Sequence, residues 1–190
     1  MTEGGVQRVL ETERLRLRQL RPDDAAVIQR LAGAREIADT TLTVPHPYAA
    51  SDAETFIEKI TEAWREGRAC TCAIERRADD AFVGIVGLAI DREHERAELG
   101  YWIGVPYWTQ GYATEASRRL VAFGFDELGL NRIQAHHLSR NPASGRVLEK
   151  IGMQHEGRIR EYIIKWGVCE DAEAFSILRS DYEAHDRDER

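Results

Sequence analysis

The chain of 190 residues is long enough for one domain with a full hydrophobic core, and its formal net charge of −7 argues against a general nucleic-acid binder. No 18-residue apolar run occurs and Met1 to Gln7 carry no apolar stretch, so neither a membrane span nor a secretory signal is expected. Cys70, Cys72 and Cys169 are odd in number and lack CxxC or histidine spacing, which points to thiols in a reducing cytoplasm and to no metal site.

Residues 1–11 read as an N-terminal extension ahead of a single domain over 12–182. Arg14-Leu15-Arg16-Leu17-Arg18 alternates with period two and predicts a first strand with one wet face. Pro22-Asp23-Asp24 starts a helix, with Asp23 or Asp24 as N-cap before Val27, Ile28 and Leu31. Ser51-Asp52-Ala53-Glu54 has the form of a capping box and opens a second helix bearing Phe56, Ile57, Ile60 and Trp64 at helical spacing. Between them, Pro45-His46-Pro47-Tyr48 excludes regular structure and is either the border of a binding site or a plain connector.

Strands over 69–75 and 81–91 form a hairpin across Asp79-Asp80, and a third strand covers 96–105. A helix over 114–128 presents Leu120, Phe123 and Leu128 on one face, and Gly129 closes it. A strand over 132–138 follows. Asn141 then caps a helix with Pro142 at its first position and Gly152 at its end. Strands near 153–164 and 172–179 make a last hairpin around Gly167, and residues 183–190 form a polar tail. The strands before and after the 114–128 helix are joined by a crossover and should be parallel neighbours, while the rest of the sheet can be antiparallel.

The most informative stretch is Trp108-Thr109-Gln110-Gly111-Tyr112-Ala113-Thr114-Glu115-Ala116, where a strand breaks at Pro106, turns, and enters a helix. Unpartnered N–H groups and the positive end of the helix dipole converge there and favour an anion. The loop lacks GxxxxGK[ST], so neither a P-loop lysine nor a Mg²⁺ site is implied, and it lacks the three glycines of a dinucleotide-binding turn. Residues 111–170 carry nine basic and seven acidic side chains and form the only net positive segment. Local geometry, and not a global field, would hold the anion.

Four stretches in this order resemble the GNAT superfamily of acyl-coenzyme A N-acyltransferases, in the branch of RimJ/RimL-like ribosomal-protein N-acetyltransferases. They are Glu98 to Ile103, Gln110 to Ala116, Asn141 to Ser144 with Val147 to Met153, and Gly167 with Asp171 and Ile177 to Arg179. The resemblance covers nearly the whole chain. It implies an α/β fold, with a mostly antiparallel central sheet, one splayed parallel strand pair and flanking helices. It also implies acetyl-CoA as co-substrate, with no metal, and a primary amine as acceptor: a protein N-terminal amine, or else a small molecule such as an amino acid, polyamine or aminoglycoside. A coenzyme-binding regulatory domain without catalysis is the further alternative. The partners implied are acetyl-CoA and that amine, with no nucleic acid and no membrane, in a cytoplasmic monomer or homodimer.

The same resemblance assigns roles. Gln110, Gly111, Tyr112, Ala113 and Thr114 would donate to the coenzyme pyrophosphate, and Ile103 and Val105 would pair their main chain with the pantetheine arm. Asn141 would cap its helix and touch that arm. The pyrophosphate pattern begins with Gln or Arg, and here Trp108 stands in that place. Acyl transfer needs a neutral amine, a stabilised oxyanion and a proton for the departing thiolate. Glu98 is the candidate base and Ser144 the candidate acid, with Glu161 and Tyr162 as second-rank alternatives on the late hairpin. His46, Tyr48, Trp102, Glu161 and Tyr162 are the expected acceptor-binding residues. His136 and His137 alternate across a strand and cannot chelate one ion; they read as buried or edge histidines.

Overall fold

The computed structural model describes residues 9–188, and the side chains up to residue 184. Residues 1–8 of the expected N-terminal extension and 189–190 of the tail lie outside the described residues. The described chain runs β1 (Leu10–Glu11), β2 (Leu15–Gln19), α1 (Ala25–Ala32), α2 (Arg35–Thr40), α3 (Ala50–Arg65), β3 (Ala69–Arg76), β4 (Ala81–Asp91), β5 (Arg96–Ile103), α4 (Tyr112–Asp126), β6 (Arg132–Leu138), α5 (Pro142–Lys150), β7 (Gln154–Lys165), β8 (Val168–Leu178) and α6 (Arg179–Asp188). Its strands form one sheet of eight, ordered β1-β2-β3-β4-β5-β6-β8-β7. All neighbours are antiparallel except β5 and β6, the pair that the crossover predicts to be parallel.

Strand alternation sorts the core into two layers. Cys70, Cys72 and Ile74 of β3, Val86 and Leu88 of β4, and Ala97 and Leu99 of β5 pack with Ala116, Leu120 and Phe123 of α4. On the other face, Ala73, Phe82 and Ile85 pack with Ile28 and Leu31 of α1 and Ile57 of α3. α4 fills the crossover between β5 and β6.

Several boundaries differ from those expected, for local reasons. α3 begins two residues early: Asp52 at its third position accepts from the Ala49 N–H at 2.7 Å, so the cap is Asp52 reaching back and not the Ser51–Glu54 pair. Asp24 does sit at the start of α1, but its carboxylate is turned away from the helix to the Arg21 N–H and, in a two-point contact, to the buried Arg18 guanidinium. α2 was not anticipated; its six residues are too few to show a helical period. Arg179–Asp188 is helical where only a polar tail was expected.

Candidate active site

The anion loop forms on a left-handed residue. Gly111, at φ 82°, is the N-cap of α4, which therefore starts at Tyr112 and not at Thr114. Glu115 makes the first helical bond, from its N–H to the Gly111 carbonyl at 3.0 Å. The N–H groups of Gly111, Tyr112, Ala113 and Thr114 precede that bond and point out of the helix end, as helix geometry requires. The loop is braced from below. The Glu115 carboxylate accepts from the Thr12 hydroxyl, the Arg14 N–H and the Arg14 guanidinium, and Arg14 Nη1 donates to the Gln110 carbonyl at 3.0 Å. Burial raises the Glu115 carboxyl, but these donors outweigh it and hold the group below the usual carboxylate range. Its charge is thus spent on Arg14 and does not oppose an anion above.

Trp108 points back to its own strand, with its indole N–H donating to the Ile103 carbonyl at 2.6 Å. β5 ends at Ile103, and Val105 opens a 3₁₀ turn through Pro106 to Tyr107. Val105 was expected to continue the strand; proline ends it, and the Val105 carbonyl takes the Trp108 N–H at 3.2 Å.

β5 and β6 pair over only three positions, Arg96 with Arg132, Ala97 with Ile133 and Glu98 with Gln134, and then part. The fork opens into a cavity of about 390 Å³. On its α5 side, Tyr101 and Ser144 meet, with the phenol oxygen 2.8 Å from Ser144 Oγ and also donating to the Ser144 carbonyl at 3.2 Å. Burial pushes the Tyr101 phenol up to about 12, against the opposing hydrogen bond from Ser144, so it stays protonated. Asn141 caps α5 by accepting from the Ser144 N–H, while its amide donates to the Thr40 carbonyl at 2.9 Å.

On the opposite face, His136 Nδ1 donates to Glu98 Oε1 at 3.2 Å, and the imidazole stacks on Tyr162 with ring centroids 5.2 Å apart. That hydrogen bond holds the Glu98 carboxyl below the usual range, partial burial working the other way. His137 points to the other face of β6, toward Gly145 of α5: it is buried, bonds the Leu138 carbonyl, tilts against Phe175 and still lines the cavity.

The structure brings together Glu98, Trp102 and Ser144 as cavity walls, with Tyr162 at the rim through His136. It does not bring in the other expected acceptor residues. Glu161 is exposed at φ 51°, its N–H held by Asp171. His46 is exposed, and Tyr48 packs against the α1–α3 core. The part of that connector that does line the cavity is the preceding segment, Thr40 to Val44. Two residues escaped the sequence reading. Tyr101 reads there as an ordinary strand aromatic, and His136 as a strand histidine; alternation and the crossover would have placed His136 on the Glu98 face. Among the described residues, no three His, Cys, Asp or Glu side chains gather as metal ligands.

A parallel strand pair that forks beside a helix-end anion loop is the arrangement that the resemblance to the GNAT superfamily implies. The chain belongs to the GNAT family: the model of the acetyltransferase (GNAT) domain matches residues 14–154. It is 34% identical to an uncharacterized N-acetyltransferase of Bacillus subtilis, YoaA, over 90% of this chain and 97% of that one. It is 30% identical to the putative ribosomal N-acetyltransferase YdaF of the same organism, over 90% and 94%. Among solved structures, a spermidine N-acetyltransferase from Vibrio cholerae, in complex with coenzyme A and spermine, matches with a TM-score of 0.79 and 25% identity, over 90% of this chain and 99% of that one. The protein is an acetyl-CoA-dependent N-acetyltransferase. The donors of the Gly111 loop suit the coenzyme's pyrophosphate, and no helix among the described residues is long and apolar enough to cross a membrane.

Proposed function

We propose that the protein acetylates a primary amine by direct attack in a ternary complex, in the reducing cytoplasm where Cys70, Cys72 and Cys169 remain thiols. The observation that carries this reading is the pairing of two proton-handling groups across one fork, Glu98 with His136 on one face and Ser144 with Tyr101 on the other. Acetyl-CoA supplies the activated acetyl group and a thiolate that leaves readily, a free thiol having a pKa of about 8.5. Glu98, ionised through neutrality, draws the ammonium of the acceptor to the fork. The Glu98–His136 pair takes the proton that frees its lone pair. As the new C–N bond forms and the C–S bond breaks, Ser144 Oγ–H gives its proton to the thiolate. The hydroxyl is restored by the second proton, which the nitrogen sheds as it becomes an amide. Tyr101 holds that hydroxyl in place. The loop N–H groups of Gln110 to Thr114 carry the pyrophosphate, and the open edge of β5 that ends at Ile103 aligns the pantetheine arm, Val105 having left the strand.

The acceptor is a protein N-terminal α-amine, as the name of the YdaF relative suggests, and a single carboxylate in the cavity suits a single amine. An α-amine, with a pKa of about 7.7–8.0, asks less of the base than a lysine-like amine near 10.4. The likeness to a spermidine N-acetyltransferase favours the second reading, a small-molecule amine. Coenzyme A release from acetyl-CoA, measured across acceptor peptides and small amines, tests both. Coenzyme binding without release to any amine would leave a binding domain and overturn catalysis.

A further inference from the structure

The floor of the cavity is shaped by what its strands leave out. On the face that carries Glu98 and Trp102, three residues lie in one cross-strand row: Thr71 of β3 pairs with Gly87 of β4, and Gly87 with Gly100 of β5. The flanking rows are bulkier, Ala73–Ile85–Trp102 on one side and Ala69–Ala89–Glu98 on the other. The small row is therefore a trough. It spans two strand spacings, about 10 Å, from the fork to Thr71. Phe56 and Ile60 of α3 and the Thr40–Val44 segment wall the same cavity.

Two features describe the trough: it is open along its length, and it ends in a polar group. A Cβ added at Gly100 would meet nothing within 4 Å, so glycine there leaves open space. At the inner end, Thr71 is 8% exposed, its hydroxyl lines the cavity, and it has no hydrogen-bond partner among the described residues. The hydroxyl stands over Gly87, where an added Cβ would lie 2.6 Å from Oγ1, so any side chain at Gly87 would close the passage. A hydroxyl that faces an open cavity and bonds no protein group is free to bond a ligand there. The charge pattern completes the description: among the described residues, Glu98 is the only acidic one lining the cavity, and neither Lys nor Arg lines it.

We propose that the acceptor carries one primary amine, placed at Glu98 and His136, on a neutral and mostly apolar body that lies in the Thr71–Gly87–Gly100 trough and ends in a hydrogen-bonding group at Thr71. This rests on the acetyl-transfer reading and narrows its acceptor. A polyamine or aminoglycoside would bury further cations beside Phe56, Ile60 and Ile85 with no carboxylate to meet them. An N-terminal residue with a long neutral side chain and a free aryl-alkyl monoamine share the chemistry that fits.

The test is calorimetric titration of the coenzyme A complex with tyramine, phenethylamine, spermidine and a tripeptide beginning with tyrosine. Tyramine or the tripeptide is expected to bind at least tenfold more tightly than spermidine, and the tighter of those two identifies the source of the amine. Gly100→Val, whose Cβ would meet no neighbour within 4 Å, is expected to weaken that ligand at least tenfold. Thr71→Val, of the same shape, is expected to abolish the preference for tyramine over phenethylamine. Tighter binding of spermidine, or no effect of Gly100→Val, overturns the proposal. Because binding is read directly, this failure is distinct from failure of the acetyl-transfer reading, which absence of coenzyme A release with every amine would show.

Discussion

The two sides of the β5–β6 fork are built by different means. The coenzyme end is made of backbone: a left-handed Gly111, four N–H groups at the start of α4, and a brace of Arg14 and Glu115 that neutralises itself. The proposed acceptor end is made of side chains from distant strands, Glu98, His136, Tyr162 and the Thr71–Gly87–Gly100 row, brought together by sheet register and, for the first three, by a hydrogen bond and a ring stack. A backbone site recognises a ligand part common to a whole family, since only a turn and a helix end are needed. A side-chain site can be rebuilt strand by strand for a new acceptor without disturbing the other end.

The largest effect should come from breaking the backbone end. Gly111→Pro removes a donor and forbids φ 82°, and it should abolish acetyl-CoA binding. Measured as thermal stabilisation, the wild type should gain about 2.7 kcal/mol at 100 times Kd, and the variant nothing. A folded variant with the full gain would remove the loop from the site.

Next in size are the two proton carriers, which should fail differently. Ser144→Ala should lower kcat about ten- to a hundredfold, at the low end of general acid catalysis because a thiolate can leave unaided. Glu98→Gln should slow the reaction most on the acidic side. The sign follows from its environment: the His136 hydrogen bond lowers the Glu98 pKa, so the carboxylate is present through neutrality and is lost only as pH falls through that lowered value. Raising the pH deprotonates the amine in solution and should rescue Glu98→Gln but not Ser144→Ala. A normal pH–rate profile in Glu98→Gln would move the base elsewhere, with Glu161 next to test.

This contrast also explains what the sequence disclosed. Gly111 and the Pro106 break announce the loop locally, and the crossover makes β5 and β6 parallel, so the fold and the strand–turn–helix of the loop were legible in the sequence. Asn141 and Pro142 were legible for the same reason, a cap being a pattern of adjacent residues. The acceptor end was only half legible. Glu98 could be placed on the right face by alternation, but His136 is 38 residues away and meets it through the β5–β6 register. The role of Tyr101 depends on α5 returning over β5, and the trough depends on three strands lying in register. His46 and Tyr48 were drawn toward the site by the proline-flanked loop, yet the chain reaches the cavity earlier, at Thr40 to Val44.

That segment gives the smallest and most selective test of the comparison. Two side chains clamp its backbone, Asn141 through the Thr40 carbonyl at 2.9 Å and Lys165 through the Thr41 carbonyl at 2.7 Å. Lys165 is 7% exposed, and burial, aided by Arg140, lowers its pKa. Its ammonium stem comes from β7 and bonds the Thr40–Val44 segment and not the anion loop, which places it with the proposed acceptor end. Lys165→Met keeps the length and the buried packing but leaves the Thr41 carbonyl without its donor. A charged hydrogen bond contributes about 1.5–3 kcal/mol, part of which local relaxation recovers, so the segment should loosen and not unfold. The expected result is an acceptor KM raised about three- to tenfold, with kcat and acetyl-CoA affinity nearly unchanged. Asn141→Ala should do more, since it also removes the cap of α5 and so releases Ser144. If Lys165→Met instead weakened acetyl-CoA while sparing the acceptor, the Thr40–Val44 segment would belong to the coenzyme end, and the division between the two sides would not hold.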